Sequence, residues 1–373
     1  MRFEPFAMER LQSIWEHQVA WNLSESGVEP LRLEELALTR DDRDELFRQP
    51  LAYTQTNGTV ELRRQIAELY PGAGPEQVEV TNGGSEANCV TLLHFVEPGD
   101  EVVSMTPNYM QAPGLLRALG AQIVPWPLRI NGEKTRWEPD LAALDSLVTP
   151  RTRAIFVCSP NNPTGSRLTA EELNRIGAIA SRAGVWVIAD EIYRGAELDA
   201  VESPTMWGRS DRVIITSGLS KAYGLPGLRI GWIVGPAATV EELWGVHDYT
   251  TIAPGALNDR LARIALSPEG RERLLARTRG IIRTNYPILR DWLARRPVFS
   301  HIAPEAGAIA FVKYNHPINS TELVEQLRTQ QSVLVVPGDH FAMDGHLRVG
   351  FGSHPEHLAG SLERIAAVVD TLA

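Results

Sequence analysis

The sequence is organised around one loop of small residues that holds a lysine, Ser217-Gly218-Leu219-Ser220-Lys221-Ala222-Tyr223-Gly224-Leu225-Pro226-Gly227-Leu228-Arg229-Ile230-Gly231-Trp232. Apolar runs at 213–215 and 230–234 flank this loop and predict a buried strand on each side. An amine screened from water between two strands is suited to Schiff-base chemistry with a carbonyl group. Arg229 is placed to return to the same site and neutralise an anion. Because a lysine in such a loop is more often a solvated turn residue, the rest of the chain must decide between the two interpretations.

Composition is that of an ordinary globular protein. The chain has 373 residues, 43% of them hydrophobic, and a formal net charge of −10. This length predicts one large and one smaller domain, and the acidic balance argues against a nucleic-acid-binding surface. We see no export signal and no apolar run long enough to cross a bilayer, so we expect a cytoplasmic protein without membrane association. Cys89 and Cys158 lie in apolar runs and are expected to be buried thiols.

Strands and helices alternate from residue 78 onward. Predicted strands occupy 78–81, 101–105, 122–126, 154–158 and 185–189, and predicted helices between them occupy 86–96, 110–119 and 140–148. A capping box at 169–172 opens a further helix. Continuous apolar strands separated by helices predict a mostly parallel sheet covered on both faces, with ligands bound at the carboxyl ends of its strands.

The two ends of the chain are predicted to form the smaller domain. The predicted elements of the smaller domain are an N-terminal helix over 6–15, an extended arm over 21–30, helices over 321–331 and 357–372, and short strands over 308–312, 333–336 and 347–351. Between the predicted sheet and this tail, the chain is predicted to be helical over 239–244 and 258–293. We therefore divide the chain into residues 1–45 (helix and arm, part of the small domain), 46–290 (the large domain) and 291–373 (the C-terminal, α+β part of the small domain).

Polar groups follow several of the predicted strands. The turn at 82–85 has two glycines and aims backbone N–H groups at an anion, although many strand-to-helix turns look the same. Asn162 stands before a proline, which holds its amide rigidly at the edge of the sheet. Asp190 ends a buried strand, and a buried carboxylate needs a cationic partner, for which a protonated pyridine nitrogen would serve. Tyr193 follows closely enough to reach a phenolic oxygen on the same ring.

In the order of these motifs, the chain from about Tyr53 to Phe351 resembles the fold-type I pyridoxal-phosphate enzymes, specifically the class I and II aminotransferases. The resemblance implies an α/β fold of the aspartate aminotransferase-like kind, with a mostly parallel sheet in the large domain. It also implies pyridoxal 5'-phosphate as the cofactor, a small-molecule amino acid as the substrate, and a homodimer with shared active sites. We expect no metal site, because no Cys/His cluster with ligand spacing occurs.

The resemblance also implies a role for each matching residue. Lys221 would bind the cofactor aldehyde, and Asp190 would keep the ring nitrogen protonated so that the ring acts as an electron sink. The other residues matched to cofactor ligands are Asn162 and Tyr193 on the ring hydroxyl, Tyr109 stacked on the ring, Gly84, Ser85 and Glu86 (backbone) with Arg229 on the phosphate, and Tyr53 on the phosphate of the neighbouring subunit. Arg348 matches the arginine that clamps the substrate α-carboxylate with two hydrogen bonds.

One position departs from the family pattern. The family often has a hydroxyl group three positions before the lysine, where this chain has Gly218. Either Ser217 or Ser220 supplies the phosphate contact instead, or the contact is missing.

The implied reaction is transamination of an L-amino acid. The substrate amine displaces Lys221 and forms an external aldimine, and the freed Lys221 removes the Cα proton. The amino group then passes to a 2-oxo acid. The loop at 249–254 offers only neutral groups, so the sequence does not indicate an enzyme specific for dicarboxylates.

A second reading stays open, because five stretches resemble the capreomycidine synthase-like enzymes, which act on arginine derivatives: 26–28, 125–129, 219–229, 334–338 and 347–352. The alternative is thus a cyclase or related enzyme acting on a (hydroxy)arginine. A guanidinium substrate needs a carboxylate in the pocket, and Glu9 and Glu25 are the candidates, with Gly27, Asn162 and Arg348 as further substrate contacts. For both glutamates the sequence alone favours a solvated charge. A pyridoxal-phosphate-sensing regulator is disfavoured, since the residues before Tyr53 are not basic.

Overall fold

The computed structural model describes residues 2–199 and 201–372. Its helices are α1 (Ala7–Trp15), α2 (Arg40–Arg48), α3 (Val60–Ala67), α4 (Gly84–Phe95), α5 (Gln111–Leu119), α6 (Leu141–Leu147), α7 (Ala170–Ala183), α8 (Ala237–His247), α9 (Ala256–Leu266), α10 (Pro268–Ala294), α11 (Ser320–Gln331) and α12 (Pro355–Val369). Its strands are β1 (Trp21–Asn22), β2 (Val78–Thr81), β3 (Glu101–Thr106), β4 (Gln122–Ile130), β5 (Trp137–Pro139), β6 (Thr152–Cys158), β7 (Trp186–Asp190), β8 (Val213–Gly218), β9 (Gly231–Val234), β10 (Phe299–His301), β11 (Ile309–Tyr314), β12 (Val333–Leu334), β13 (Val336–Pro337) and β14 (His346–Gly350).

The largest sheet in the described residues has eight strands in the order β2-β9-β8-β7-β6-β3-β4-β5. The strands from β8 to β4 run parallel to one another. Strand β9 is antiparallel to both of its neighbours, β2 and β8, and β5 is antiparallel to β4. The predicted α/β fold with a mostly parallel sheet is therefore confirmed.

The reversal at β9 decides which loops meet. Because β9 runs against both β8 and β2, those two strands point the same way, and the carboxyl ends of β2, β3, β6, β7 and β8 lie at one edge of the sheet. The start of β9 lies at that same edge. Every loop that carried a polar motif in the sequence therefore leaves or enters the sheet on the same side.

A second hydrophobic cluster lies outside this sheet. It combines Leu23 and Val28 with buried residues between Ile282 and Val369. Strands β10, β11, β14 and β13 form an antiparallel sheet, and β1 pairs with β12 in a two-stranded parallel sheet. The N-terminal arm is thus packed with the C-terminal part of the chain. The division of the chain at 45 and 290 stays a prediction.

Three local expectations were wrong. The helix expected over 258–293 is two helices, because Ser267 accepts a hydrogen bond from the Gly270 N–H and Pro268 starts a new helix. The strand expected over 333–336 is divided between two sheets, β12 and β13. Cys89 is half-buried, whereas Cys158 is buried as expected.

No helix within 2–199 and 201–372 is both long and apolar enough to span a bilayer.

Candidate active site

A pocket of about 340 Å³ opens at the sheet edge described above. Eleven residues singled out in the sequence line it: Glu9, Glu25, Gly84, Ser85, Tyr109, Asn162, Asp190, Tyr193, Ser220, Lys221 and Arg229. The structure therefore brings together most of the candidates from loops that are far apart in the chain. The volume of the pocket falls within the range usual for small-molecule sites.

Four candidates lie outside the pocket wall. Tyr53 is 82% exposed on the surface. Gly27 lies against the lysine, since a Cβ built there would be 3.6 Å from Lys221 Cδ. The N–H of Glu86 donates to the Gly83 carbonyl at 3.1 Å, so it is already engaged. Arg348 is 1% exposed and lies behind Met8 and Asn162.

Lys221 follows β8 and extends into the pocket, where a quarter of its side chain is exposed. Its Nζ lies 3.9 Å from Glu25 Oε2. Burial lowers the pKa of the Lys221 amine, and Glu25 partly opposes this shift. A lowered pKa leaves more of the amine uncharged near neutrality, which is the form that acts as a nucleophile or base.

Asp190 ends β7 and is 8% exposed. Its Oδ1 accepts a hydrogen bond from the Ile192 N–H at 3.0 Å, and its Oδ2 accepts one from Asn88 Nδ2 at 2.8 Å. Burial raises the pKa of Asp190, while these two donors lower it. Within the described residues no cation pairs with this carboxylate, although a buried carboxylate requires one. The sequence pattern did not reveal Asn88, because its partner is on a distant strand.

Asn162 joins the pocket to the buried arginine behind it. Arg348 Nη1 donates to Asn162 Oδ1 at 3.1 Å, and Nη2 donates to the Ser24 carbonyl. The Nε of Arg348 has no acceptor within the described residues. Burial lowers the pKa of Arg348, and the adjacent Tyr193 opposes this. Burial also raises the pKa of the Tyr193 phenol, so it is neutral and able to donate.

Tyr109 contacts the N-terminal helix across the pocket. Its hydroxyl donates to Glu9 Oε1 at 2.8 Å, and its ring lies 5.1 Å from that of Phe6 between centroids. Burial, followed by the charge of Glu9, raises the pKa of Tyr109. Glu9 is therefore tied to the aromatic residue expected to stack on the cofactor, and is not simply a solvated charge.

The phosphate side of the pocket is a close-packed turn. Gly83 has φ +94°, and a Cβ there would lie within contact distance of the Arg229 guanidinium. Arg229 itself has φ +47°, a backbone conformation that residues other than glycine rarely adopt. A Cβ on Gly231 would collide with the Gly83 backbone. The glycines thus let the guanidinium and the start of α4 come together around a space suited to an anion.

The departure at Gly218 has a steric cause. A Cβ on Gly218 would lie 2.7 Å from the Ile230 carbonyl, so β9 leaves no room for a hydroxyl-bearing side chain. The Ser217 hydroxyl donates to the Glu191 carbonyl at 3.2 Å, and Ser217 is buried outside the pocket wall. Ser220 lines the pocket. Of the two serines, Ser220 is the one that faces the pocket, and its contact with a phosphate stays a prediction.

Helix α1 supplies a polar wall that the sequence only partly indicated. Glu9, Gln12, Ser13 and Glu16 follow one another at helical spacing, and all four line the pocket. Burial, and then the nearby carboxylate of Glu25, raises the pKa of Glu16. The polar side of an amphipathic helix is normally solvated, so the pattern alone could not show that this stripe faces a cavity.

A buried ion cluster stands beneath the turn at the start of α4. His247 Nδ1 lies 2.6 Å from Glu79 Oε1, and its Nε2 lies 3.3 Å from Glu86 Oε2. Glu86 in turn accepts a hydrogen bond from the Asn82 N–H at 2.6 Å. Burial disfavours the charged imidazole, but the two carboxylates outweigh it and raise the pKa of His247 to about 9. The cluster fixes the turn that leads into Gly84 and Ser85.

We expect this cluster to make stability depend on pH above neutrality. The folded-state pKa of His247 lies above its ordinary value of 6.5, so its stabilisation is fully present below pH 6.5 and is lost as pH rises through about 9. His247→Gln should reduce the free energy of unfolding by about 3 kcal/mol at pH 7, because it leaves buried carboxylates without their cation. Thermal unfolding from pH 6.5 to 10 checks this. Equal slopes of melting temperature against pH in both proteins would contradict it.

The residues of the pocket fit pyridoxal phosphate. The buried Asp190 carboxylate lacks a cation within the described residues, and a protonated ring nitrogen would supply one. The turn beside Arg229 offers helix N–H groups and a guanidinium for a phosphate. Lys221 presents an amine with a lowered pKa to the same cavity. These three groups complement the ring nitrogen, the phosphate and the aldehyde of the cofactor.

Comparisons with known proteins agree with this geometry. Residues 31–365 match the family described as aminotransferase class I and II. Capreomycidine synthase from Streptomyces vinaceus is 33% identical over 320 residues, covering 84% of this chain and 80% of the relative. An arginine–pyruvate transaminase from Pseudomonas aeruginosa is 29% identical over 325 residues, covering 84% and 81%.

Among solved structures, a pyridoxal-phosphate-dependent aminotransferase from Streptococcus suis superimposes with a TM-score of 0.93 at 31% identity, covering 100% of this chain and 99% of that one. The family match spans most of the chain and includes every loop of the pocket except α1 and the arm that carries Glu25 and Ser26. The protein therefore belongs to the class I and II aminotransferases, a family of enzymes that depend on pyridoxal phosphate.

Proposed function

We propose that the protein transfers the amino group of an L-amino acid to a 2-oxo acid. The observation that carries this proposal is that Lys221 and Asp190 face one pocket, and that no cation within residues 2–199 and 201–372 contacts the Asp190 carboxylate. Pyridoxal phosphate, when bound, supplies an electron-accepting ring that stabilises negative charge at the substrate Cα. The protein has to bind that ring, hold its nitrogen protonated, and move the Cα proton.

Each of these tasks falls to named residues. Gly84, Ser85, Ser220 and Arg229 would hold the phosphate, and Asp190 would hold the proton on the ring nitrogen. Asn162 and Tyr193 would bind the ring hydroxyl, with Tyr109 against the face of the ring. Lys221, with its lowered pKa, would take the proton from Cα.

The substrate carboxylate would be held by Arg348. Its Nε has no acceptor within the described residues, and Asn162 links it to the pocket wall. Met8 separates it from the cavity, since Nη1 lies 3.4 Å from Met8 Sδ. Substrate binding would therefore require α1 to shift and expose the guanidinium, which then forms a bidentate pair with the carboxylate.

Mixing the cofactor-loaded protein with single amino acids tests the proposal. A transaminase converts the cofactor to its amine form, seen as loss of the absorbance band of the lysine-bound form, and releases one 2-oxo acid per active site. If no amino acid changes the visible band of the cofactor-loaded protein and no 2-oxo acid is released, the proposal is excluded.

A cyclase or related enzyme acting on an arginine derivative is the second candidate, and the acidic side of the pocket favours it. Glu9, Glu16 and Glu25 line the cavity, and Glu25 is the nearest carboxylate to Lys221. One relative is named an arginine–pyruvate transaminase. Another is capreomycidine synthase, and the resemblance to enzymes of that kind implies an arginine derivative as the substrate. With a hydroxyarginine, this candidate predicts a persistent long-wavelength absorbance and no release of oxo acid.

We expect Glu9, Glu16 and Glu25, which line the pocket, to favour a substrate with a cationic side chain. Glu16→Gln should raise the KM for arginine about tenfold, a loss of about 1.4 kcal/mol, and leave the KM for a neutral amino acid unchanged. Glu29→Gln is the matched control, because Glu29 is an exposed glutamate outside the pocket. Equal changes in KM for arginine and for the neutral amino acid would show that Glu16 does not distinguish substrates by side-chain charge.

We also propose a homodimer with shared active sites. Two segments carry exposed apolar side chains: Phe47 and Leu51 precede Tyr53 in the chain, and Tyr249, Ile252 and Leu257 lie within or just after the loop at 249–254. Thr54 Oγ1 donates to the Pro254 carbonyl at 3.1 Å, which joins this region to the segment beside the phosphate turn. A second copy seated there would bring Tyr53 towards the neighbouring pocket. Sedimentation equilibrium measures the mass, and a monomer at micromolar concentration would refute the proposal.

The intracellular location is a further proposal. Both cysteines are free thiols, and free thiols persist in a reducing cytoplasm. Fractionation of cells that express the full chain would test it.

A further inference from the structure

A chain of hydrogen bonds runs from Thr216 through Asn88 to Asp190. Thr216 Oγ1 lies 2.6 Å from Asn88 Oδ1, and Asn88 Nδ2 lies 2.8 Å from Asp190 Oδ2. The three residues are between 0% and 8% exposed. They come from β8, α4 and β7, which are distinct elements of the fold.

The direction of the hydrogen bonds depends on the charge of Asp190. A carboxylate can only accept, so Asn88 must turn its NH₂ group towards Asp190 and its oxygen towards Thr216. Thr216 must then donate. If Asp190 were neutral, its own proton could donate, and the amide could bind in either orientation. The arrangement seen here is the one that an ionised acid requires.

Other polar side chains around Asp190 do not donate a hydrogen bond to its carboxylate. Cys158 is its neighbour across the β6–β7 pair, and the Cys158 thiol is directed to the Pro160 carbonyl at 3.4 Å. Tyr193 is buried beside them with a raised pKa. Within the described residues, Asn88 is therefore the side chain that donates to Asp190, and the Ile192 N–H is the backbone donor.

Asn88 also lies on the helix that begins at the phosphate turn. Gly84 and Ser85 form the first turn of α4, and Asn88 stands one turn further on. Gln111 reinforces the link, since its Nε2 donates to the Ser85 carbonyl at 2.7 Å and its Oε1 lies 3.5 Å from Asn88 Nδ2. One rigid helix thus relates the anion-binding turn to the acid on β7.

We propose that Asn88, oriented by Thr216, is a positioning residue that holds Asp190 ionised and directed at the cofactor ring nitrogen. This inference rests on the proposed function, because it assigns Asp190 to that nitrogen. Asn88 also lines the pocket, and its assigned role is exerted through its hydrogen bond to Asp190. The same helix fixes the distance between the groups that bind the two ends of the cofactor.

The test compares four variants by cofactor affinity and by the pH at which the visible band of the bound cofactor titrates. Asn88→Ala should weaken pyridoxal phosphate binding about 10- to 100-fold, the usual effect of losing a hydrogen bond to a buried charge. It should also raise the pH midpoint, because a less firmly protonated ring withdraws fewer electrons from the lysine-bound carbon. Thr216→Val should act in the same direction but more weakly, and Thr216→Ser should behave as the parent. Thr91→Val is the matched control, because Thr91 is a buried residue on α4 whose hydroxyl donates to the Ala87 carbonyl.

The outcomes separate this inference from the proposed function. A parent protein that binds no pyridoxal phosphate overturns both. A parent with a normal visible band, and an Asn88→Ala variant with the same affinity and midpoint, overturns the inference alone. If Asn88→Ala does not fold, the Thr216 pair decides, and equal behaviour of Thr216→Val and Thr216→Ser overturns the inference. Changes as large in Thr91→Val would assign the effect to helix packing and also overturn it.

Discussion

Replacement of Lys221 by alanine should abolish turnover, with a loss of about 10⁴-fold or more in kcat. The amine supplies both the covalent attachment of the cofactor and the base that moves the Cα proton, and general base catalysis alone contributes about 10² to 10⁴. The variant should still bind pyridoxal phosphate through the phosphate turn, but without the absorbance band of a lysine-bound cofactor. Activity and visible spectra measure both effects.

Lys313→Ala is the matched control, because Lys313 is an exposed lysine on β11, away from the pocket. It should retain the activity and spectrum of the parent. A small added amine such as methylamine should partly restore turnover to Lys221→Ala, since the vacated space admits it. Parental activity in Lys221→Ala would remove the basis of the mechanism.

Replacement of Asp190 by asparagine should give the second-largest effect, a decrease of about 10² to 10⁴ in kcat/KM. The amide preserves the size of the side chain but removes the charge that retains the proton on the ring nitrogen. Breaking a buried ion pair costs about 3–5 kcal/mol, which corresponds to this factor in rate. The variant should bind the cofactor with a visible band, because Lys221 is intact, and then lose it more readily on dialysis.

Asp211→Asn serves as the control for an exposed aspartate outside the site. A decrease in activity confined to Asp190→Asn, with an unchanged melting temperature of the cofactor-free protein, would assign the loss to the charge. An Asp190→Asn variant as active as the parent would mean that the ring nitrogen does not need this acid.

Much of the site was accessible from sequence because its residues follow buried strands. Lys221, Asp190 and Asn162 each lie at the carboxyl end of a buried strand or in the loop that follows it, and parallel strands bring such positions to one edge. The wall formed by α1 was harder to recognise, since a polar stripe looks the same whether it faces water or a cavity. Glu9 and Glu25 were identified as candidates only through the resemblance to arginine-specific enzymes.

Contacts between distant elements could not be anticipated. Asn88 and Thr216 meet Asp190 only because α4 packs on the sheet near β7 and β8, and no local pattern encodes that pairing. The burial of Arg348 behind Met8 likewise depends on how the N-terminal helix docks. The break at Ser267 did carry a local signal, a serine followed by proline, which the continuous apolar periodicity obscured.

The position of α1 has an evolutionary consequence. The helix contributes a whole side of the cavity, yet it precedes the residues that match the family and contributes no strand to the eight-stranded sheet. We therefore expect that mutations in α1 alter substrate preference while Lys221, Asp190 and Arg229 are inherited unchanged. A chimera that carries the N-terminal segment of one relative on the remaining chain of another would change its substrate preference and keep the same reaction.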